Sequence, residues 1–588
     1  MSNLHVLWAE LLVDALAGAG VRHAVVSPGS RSTPLALAAA RHPRLACTVV
    51  VDERCASFVA LGQARVTGMP SLLLCTSGTA GAHYLPAVVE ASEASVPLLV
   101  LTADRPPELQ ARGALQTVRQ ASLFGAFVRT ALELGVPDPH PMALAGVRAT
   151  AALAVQATLD PRPGAVHLNA PFRAPLEPQL DDGDERGVRA HVQRLLATPV
   201  ARAAPARRQA APALVEALAA ACAGASRGVM VVGPGGVSQA AARQPLAALA
   251  RRLGFPVAAE AGSQLRFGPG SPSPIPLELL VGEEMPQPDL VVVVGSWPTS
   301  AGWNKVLGHA AVPRPWVVCE HGWVDPCNRA AAVVVGEVAT TLQQVAQRLG
   351  AGAPRDPTWL AAWNAAATQV AEVLAQAEAQ ERASGALSET AAVRAAVRAA
   401  PEGTWLALGN SLAIREVDLA CPGGEVHLKV LTQRGVSGID GSISAAAGAA
   451  LAAGEPVLLV TGDVAFQHDL GGLASAASVP TPLVIVVLDN RGGRIFQLLP
   501  LAGGAVPPEE VERLFIAPQR LDVYLAAQAF GVPVRRVRTV QEVEEAVGEA
   551  LAVGGCTVVH AVIGSGDLRQ RRRALQEAAQ ALWPQAQR

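Results

Sequence analysis

Short runs of Val, Leu and Ile, each stopped by Gly, Pro, Ser or Asp, recur along most of this chain. HAVVSPGS, ACTVVVDE, SLLLCTSG, VPLLVLTAD and GAVHLNAP fall within the first 185 residues. GVMVVGPGG, FPVAAEAG, DLVVVVGS and PWVVCE follow from Gly228, and WLALGNS, EVHLKVLT, VLLVTGD, LVIVVLDN and TVVHAVIG lie beyond residue 386. Runs this continuous leave no wet face, so they read as strands buried on both sides in parallel sheets, with helices between them. The expected fold class is α/β: three domains, each a mostly parallel sheet flanked by helices, over residues 1–185, 205–350 and 386–575. At about 150 residues per domain, a chain of 588 has room for roughly three or four. Residues 176–208, rich in Pro, Asp and Arg, and 351–385, which open AGAPRDPTW and turn Ala- and Gln-rich, read as the connections.

Half of the residues are hydrophobic and 16% are charged, which is ample for large cores. The net charge of -2 gives no reason to expect a nucleic acid or an anionic membrane as partner. Nearly all basic residues are Arg; Lys305 and Lys429 are the only lysines. Eight cysteines are scattered without CxxC spacing, as reduced structural thiols of a cytoplasmic protein would be. The opening MSNLHVLWAELLVDALAGAG has no basic n-region, and Glu10 and Asp14 break its apolar stripe, so it reads as an amphipathic helix. The Ala-rich run after Ser444 reads as a small-residue helix.

Two polar residues stand where open α/β sheets bind ligands, just past the carboxyl ends of buried strands. Val457–Val460 ends at Gly462-Asp463, and Leu483–Leu488 ends at Asp489-Asn490. A carboxylate, an amide oxygen and the Gly492 carbonyl could form half of an octahedral Mg²⁺ shell, whose other positions would go to water and phosphate oxygens. Other strand ends carry chemistry too, each with a plainer reading beside it. In SPGSRSTP, Ser30 and Arg31 precede a helix and suit an anion, or an N-cap with a solvated Arg. In VVVDERCAS, Asp52 or Glu53 is a helix cap, or Glu53 is a proton donor. Thr76, Ser77 and Gly78 form a small-residue turn after a strand, and the turn VVGPGGVSQ lacks a complete dinucleotide fingerprint. Arg31, Arg105, Arg415 and Arg434 at strand ends suggest a site for multiply anionic carboxylates, or surface ion pairs taken singly.

Together, SPGSRSTP, DERCAS, TSGTA, LTADRPPEL, GNSLAIR, RGVSGIDG and DNRGGRIFQLLP resemble the 2-succinyl-5-enolpyruvyl-6-hydroxy-3-cyclohexene-1-carboxylate synthases of menaquinone (or phylloquinone) biosynthesis, a family of thiamine-diphosphate enzymes. The likeness is strong in the first and third domains and weak in the middle one. It implies a pyrimidine-binding domain, a central domain and a diphosphate-binding domain, and a homodimer or homotetramer with sites between subunits. It implies thiamine diphosphate with Mg²⁺ (or Mn²⁺), and 2-oxoglutarate and isochorismate as substrates. Glu53 matches the carboxyl partner of the aminopyrimidine, which needs shielding from water. Ile439 matches the apolar wedge that bends the cofactor. Asp463, Asn490 and Gly492 match the metal ligands. Thr76, Ser77, Gly78, Ser411, Gly462 and Ile495 fall at the cofactor. Ser30, Arg31, Arg105, Gln116, Arg415, Arg434, Phe496 and Leu499 fall at the substrates, with Gln116 and Arg31 joining Glu53 in catalysis.

One stretch departs from the family. In PTSAGWNKVL, Ala301 stands where many members carry a Lys, and Lys305 follows one turn later if the stretch is helical. Two other functions are weighed: another thiamine-diphosphate 2-oxoacid decarboxylase or carboligase, such as an acetohydroxyacid synthase, and a non-catalytic cofactor-binding subunit. The four arginines argue against a pyruvate enzyme. The joint presence of Glu53, Asp463 and Asn490 argues against the second.

Overall fold

The computed structural model describes residues 3–179, 186–273, 277–282, 285–350, 356–424, 426–564 and 568–581. Parts of the two expected connections, 180–185 and 351–355, lie outside the described residues. The chain divides into two compact units: Met1–Ala206 with Gln433–Gly454 and Asp469–Val479, and Arg207–Thr432 with Glu455–His468 and Pro480–Arg588.

The first unit holds one sheet, built from β1 (His23–Val26), β2 (Ala46–Val49), β3 (Ser71–Cys75), β4 (Leu98–Asp104), β5 (Ala131–Glu133) and β6 (Ala165–Pro171). Their order is β2-β1-β3-β4-β6-β5, and every pairing is parallel. The second unit holds two sheets. β7 (Gly228–Val232), β8 (Val257–Ala259), β9 (Leu290–Val294), β10 (Trp316–Cys319) and β11 (Ala332–Val335) run in the order β11-β10-β9-β7-β8. β12 (Trp405–Leu408), β13 (Lys429–Thr432), β14 (Val457–Gly462), β15 (Leu483–Asp489), β16 (Val534–Val537) and β17 (Cys556–Val562) run in the order β13-β12-β14-β15-β17-β16. These pairings are parallel as well, as expected for strands whose residues are buried throughout. Three strands are not among the runs quoted above, β5, β11 and β16, although β11 (AVVV) is itself apolar. All three are sheet edges, and β16 carries Arg535 and Arg536, since an edge needs less continuous apolar cover.

Two expectations need correction. The stretch 176–208 is not a plain connection, because Arg186–Leu196 is helical and places Val188, Val192 and Leu195 at helical spacing against the first unit's core. Residues 386–575 do not form one compact body either: Gln433–Gly454 and Asp469–Val479 pack into the first unit. The cause is a close helix pair. Glu53–Thr67 lies against Ser442–Ala453, whose sequence SISAAAGAALAA has only Ile443 and Leu451 as bulky residues. A Cβ on Gly62 would come within 2.0 Å of the Ala445 carbonyl oxygen, and one on Gly448 within 2.0 Å of the Val59 carbonyl oxygen. Buried Asp469 bonds the same pair, accepting from the Ser444 N–H at 2.7 Å and the Ser444 hydroxyl at 2.8 Å, with the Cys55 thiol at 3.8 Å. Among the described residues one helix, Pro141–Leu159, is long and apolar enough to cross a membrane, and here it packs into the first unit's core.

Gly448→Ala should destabilise the chain by about 2–3 kcal/mol through overpacking, read from urea unfolding, because the added methyl meets backbone rather than a movable side chain. Burial pushes the Asp469 carboxyl up to about 6, above its ordinary 3.8. The folded state therefore holds this proton more tightly than the unfolded state. That contribution is fully present below about pH 4 and is lost as pH rises through about 6, a difference of about 3 kcal/mol. Unfolding of Asp469→Asn at acid and neutral pH should show a correspondingly flatter profile than the wild type.

Candidate functional site

A parallel sheet opens a crevice where its strand order reverses, because the loops leaving the two neighbouring strands diverge to opposite faces. In the first sheet that point lies between β1 and β3, where Val26 is in register with Leu74. The loops leaving there are Ser27–Ser32 and Thr76–Ala80. In the third sheet it lies between β12 and β14, where Leu408 is in register with Val460. The loops leaving there begin Gly409-Asn410-Ser411 and Gly462-Asp463. SPGSRSTP, TSGTA, GNSLAIR and the Gly462-Asp463 pair therefore fall at the two switch points, while DERCAS, LTADRPPEL, RGVSGIDG and DNRGGRIFQLLP leave neighbouring strands.

In the first unit the two loops touch. A Cβ on Gly29 would lie 2.3 Å from Thr76 Cβ. The helix Thr33–Arg41 starts without a side-chain cap; its Thr33 N–H donates to the carbonyl of exposed Ser30 at 3.1 Å, and Pro34 follows with no N–H. Arg31 is half-buried, and it donates to the Phe172 carbonyl at 2.8 Å. Its Nε is buried with no hydrogen-bond partner among the described residues, and burial and the nearby Arg105 lower its pKa. The Arg31 head is thus held partly out of solvent. Arg105 follows β4 and donates to the Ser77 hydroxyl and, at 3.4 Å, to Gln116 Oε1. Gly78, with φ of +87°, packs against Gln116 and donates its N–H to Gln120 Oε1 at 2.9 Å.

Asp52, not Glu53, caps the following helix, accepting from the Arg54 N–H at 2.9 Å. Glu53 is the first helical residue and is half-buried. The shielding expected for it is not complete within one chain, because β2 is a sheet edge and Val49 and Val51 are 65% and 79% exposed. The RGVSGIDG loop, with half-buried Arg434 and Ile439, belongs to the same unit. Buried Glu90 holds its backbone by accepting from the Gly435 N–H at 3.0 Å and the Val436 N–H at 2.8 Å. Sequence reading missed Glu90, although an acid in the middle of an apolar helix was a visible signal.

In the second unit Asp463 is 7% exposed. Its oxygens accept from the Val464 N–H at 2.9 Å and the Gly492 N–H at 2.7 Å, and burial pushes its pKa up to about 6. Gly492 has φ of +121°, and a Cβ there would meet the Ile516 carbonyl oxygen at 2.4 Å, so only glycine fits. Asn490 donates Nδ2 to Glu389 at 3.2 Å. Its Oδ1 is buried with no hydrogen-bond partner among the described residues. A buried amide oxygen, a buried carboxylate and a backbone carbonyl at one strand-end crevice suit a hard cation. No cluster of three or more His, Cys, Asp or Glu side chains among the described residues offers an alternative. Ile495 and Phe496 are half-buried on the short 3₁₀ helix Arg494–Leu498, with Phe496 against Phe515, and Leu499 is 41% exposed. Ser411, at φ of +67°, caps the helix Leu412–Ala420 without a side-chain bond, and Arg415 on that helix donates to the Ser411 carbonyl at 2.7 Å. Of the eight non-glycine residues with positive φ among the described residues, five (Ala111, Gln116, Ser411, Ser437 and Arg491) lie in the loops that carry or adjoin these site residues. That is where backbone strain gathers in functional sites.

The middle sheet has its own switch point, between β7 and β9, but buried Gln239 fills it. Gln239 donates to the Gly233 carbonyl at 3.1 Å and accepts from the Gln264 N–H at 2.9 Å. A Cβ on Gly233 would lie 2.1 Å from the Ser296 carbonyl oxygen. Gly233 and Gly235 of VVGPGG therefore serve close packing. The stretch after Ser300 is helical over Ala301–Gly308, with Ala301 and Lys305 both exposed on it.

The family model "Thiamine pyrophosphate enzyme, N-terminal TPP binding domain" matches residues 8–123, and its C-terminal counterpart matches 425–561. The 2-succinyl-5-enolpyruvyl-6-hydroxy-3-cyclohexene-1-carboxylate synthase of Sorangium cellulosum (strain So ce56) is 45% identical over 583 residues, covering 96% of this chain and 94% of that one. The enzyme of the same name from Myxococcus xanthus (strain DK1622) is 38% identical over 593 residues, covering 99% and 98%. Among solved structures, benzoylformate decarboxylase from Polynucleobacter necessarius aligns with a TM-score of 0.69 at 18% identity, over 96% of this chain and 99% of that one, a likeness of fold alone.

Gly492→Ala should misplace the loop that carries Asn490 and lower affinity for thiamine diphosphate with Mg²⁺ at least roughly tenfold by calorimetry, since both the φ and the Ile516 contact forbid a Cβ.

Proposed function

We propose that the chain, which belongs to the 2-succinyl-5-enolpyruvyl-6-hydroxy-3-cyclohexene-1-carboxylate synthase family of thiamine-diphosphate enzymes, decarboxylates 2-oxoglutarate and adds the resulting succinyl unit to isochorismate, releasing CO₂, in menaquinone biosynthesis. The observation that carries this reading is that residues at both switch points coincide with the two matched cofactor-binding domains, in a chain aligned end to end with synthases of that name. Thiamine diphosphate, when bound, supplies the nucleophilic carbon and the electron sink for loss of CO₂.

The residues of the chain do the rest. Residues 1–185 act as the pyrimidine-binding domain and 205–350 as the central one, and 386–575, although Gln433–Gly454 and Asp469–Val479 pack with the first unit, supply the diphosphate-binding groups. Glu53 holds a proton at the aminopyrimidine, the Thr76-Ser77-Gly78 turn lies beside that ring, and Ile439 sets the bend of the cofactor. Asp463, Asn490 and the Gly492 carbonyl hold Mg²⁺, or Mn²⁺, on the diphosphate, next to Gly462 and Ser411. The buried, unpartnered Asn490 Oδ1 supports this ligand set. Ser30, Arg31, Arg105, Gln116, Arg415 and Arg434 bind the carboxylates of the two dianionic substrates, with Arg31 and Gln116 nearest the chemistry. Ile495, Phe496 and Leu499 form the apolar wall.

The smallest active unit is a homodimer, and a pair of such dimers is compatible with the reading. The exposed Val49 and Val51, directly before half-buried Glu53, support a partner surface at that edge. The site lies in the cytoplasm, where the substrates are small soluble anions.

With cofactor and Mg²⁺ present, CO₂ release from 2-oxoglutarate should depend on isochorismate for multiple turnover, and pyruvate should not substitute. Turnover of pyruvate in preference to 2-oxoglutarate would refute the substrate reading. Glu53→Gln should retain cofactor binding by calorimetry while losing at least roughly a hundredfold in kcat, within the usual range for a lost acid–base group.

A further inference from the structure

We propose that Glu389 is a positioning residue for the metal site: it holds the Asn490 amide the one way round that presents Oδ1, rather than Nδ2, to a divalent cation. The inference rests on the metal reading given above.

Glu389 opens the helix Glu389–Arg398 and is 3% exposed. Its Oε1 accepts from Asn490 Nδ2 at 3.2 Å, and its Oε2 accepts from Arg571 at 3.1 Å. Arg571 belongs to the last helix, Leu568–Gln580, so the carboxylate is held from a second direction. An ionised carboxylate only accepts hydrogen bonds, so an amide that faces it must turn its NH₂ group inward. Oδ1 then points away, and it is buried with no partner among the described residues. The two ends of an amide have nearly the same size, so packing alone does not choose between them. The charge on Glu389 chooses. With the amide reversed, Oδ1 would face a carboxylate, and two N–H donors would point at the cation. The backbone of the same loop is fixed separately, by the Gly492 N–H on Asp463 at 2.7 Å and by Arg494 Nε on the Asn490 carbonyl at 3.1 Å. Glu389 thus controls the one remaining freedom of this ligand, as partners behind metal ligands commonly do.

A carboxylate at position 490 would have oxygen at both ends and would need no orienting partner. The test is therefore Glu389→Gln in two backgrounds, wild type and Asn490→Asp, using the full chain and calorimetric binding of thiamine diphosphate against Mg²⁺ concentration. In the wild-type background the Mg²⁺ needed for half-maximal binding should rise roughly 10- to 100-fold, with the thermal midpoint of the cofactor-free protein little changed. In the Asn490→Asp background the same substitution should cost nothing, or should improve binding, because the Gln amide can donate to the spare oxygen. Equal loss in both backgrounds marks a general structural role and overturns the proposal, as does no loss in either. Asp463→Ala separates the two readings. If it abolishes Mg²⁺-dependent binding while Glu389→Gln has no effect, the positioning role fails and the metal site stands. If Asp463→Ala also has no effect, the metal site itself fails.

Discussion

The contact between the helices Glu53–Thr67 and Ser442–Ala453 sets much of the first unit. Two glycines, Gly62 and Gly448, let each backbone approach the other within the space of a missing Cβ. Such closeness makes relative sliding costly, because a shifted helix would drive a methyl group into a carbonyl. The consequence is functional. The first helix begins at Glu53, and the second follows directly on the loop that carries Arg434 and Ile439. Asp469 and Glu90 then pin the N-terminus of the second helix and that loop through backbone N–H groups.

A recurring device emerges from these bonds. Buried carboxylates accept from backbone N–H groups wherever a loop must hold one shape. Glu90 does so for Gly435 and Val436, Asp463 for Val464 and Gly492, and Glu260 for Thr299 and Ser300 at 2.8 and 2.7 Å. A backbone loop offers no packing surface of its own, so a charge that accepts two N–H bonds is an economical way to specify it. Glu389 applies the same principle to a side chain, selecting one end of an amide.

The first and third sheets have the same strand order and share its first four strands with the five-stranded middle sheet, yet the switch points differ in use. The loops leaving the first and third carry the hydroxyl, amide and carboxylate groups of the candidate site. The middle crevice is closed by Gln239, which satisfies its backbone groups internally. A glycine-rich turn after a strand is therefore no sign of a ligand until the neighbouring side chains are known. VVGPGG and TGD both place glycine after a buried strand, and what closes the first is the packing of Gln239 onto Gly233 and Gln264.

The apolar runs and their stop residues marked the strands, because burial on both faces leaves a local signature. The family strings marked Glu53, Asp463, Asn490 and the arginines, because each motif is carried by a contiguous stretch of chain. Edge strands were harder to read, since an edge tolerates Arg535 and Arg536. What the amino-acid order determined by itself was the set of parallel-sheet units and the chemical groups at their strand ends. What the tertiary structure alone decided was which groups stand behind them. The placing of Ser442–Ala453 with the first unit, the closing of the Gly233 turn against Ser296 and the turning of Asn490 by Glu389 all join residues distant in sequence. Each depends on close approach or on the direction of a hydrogen bond, and neither is encoded in any single stretch of chain.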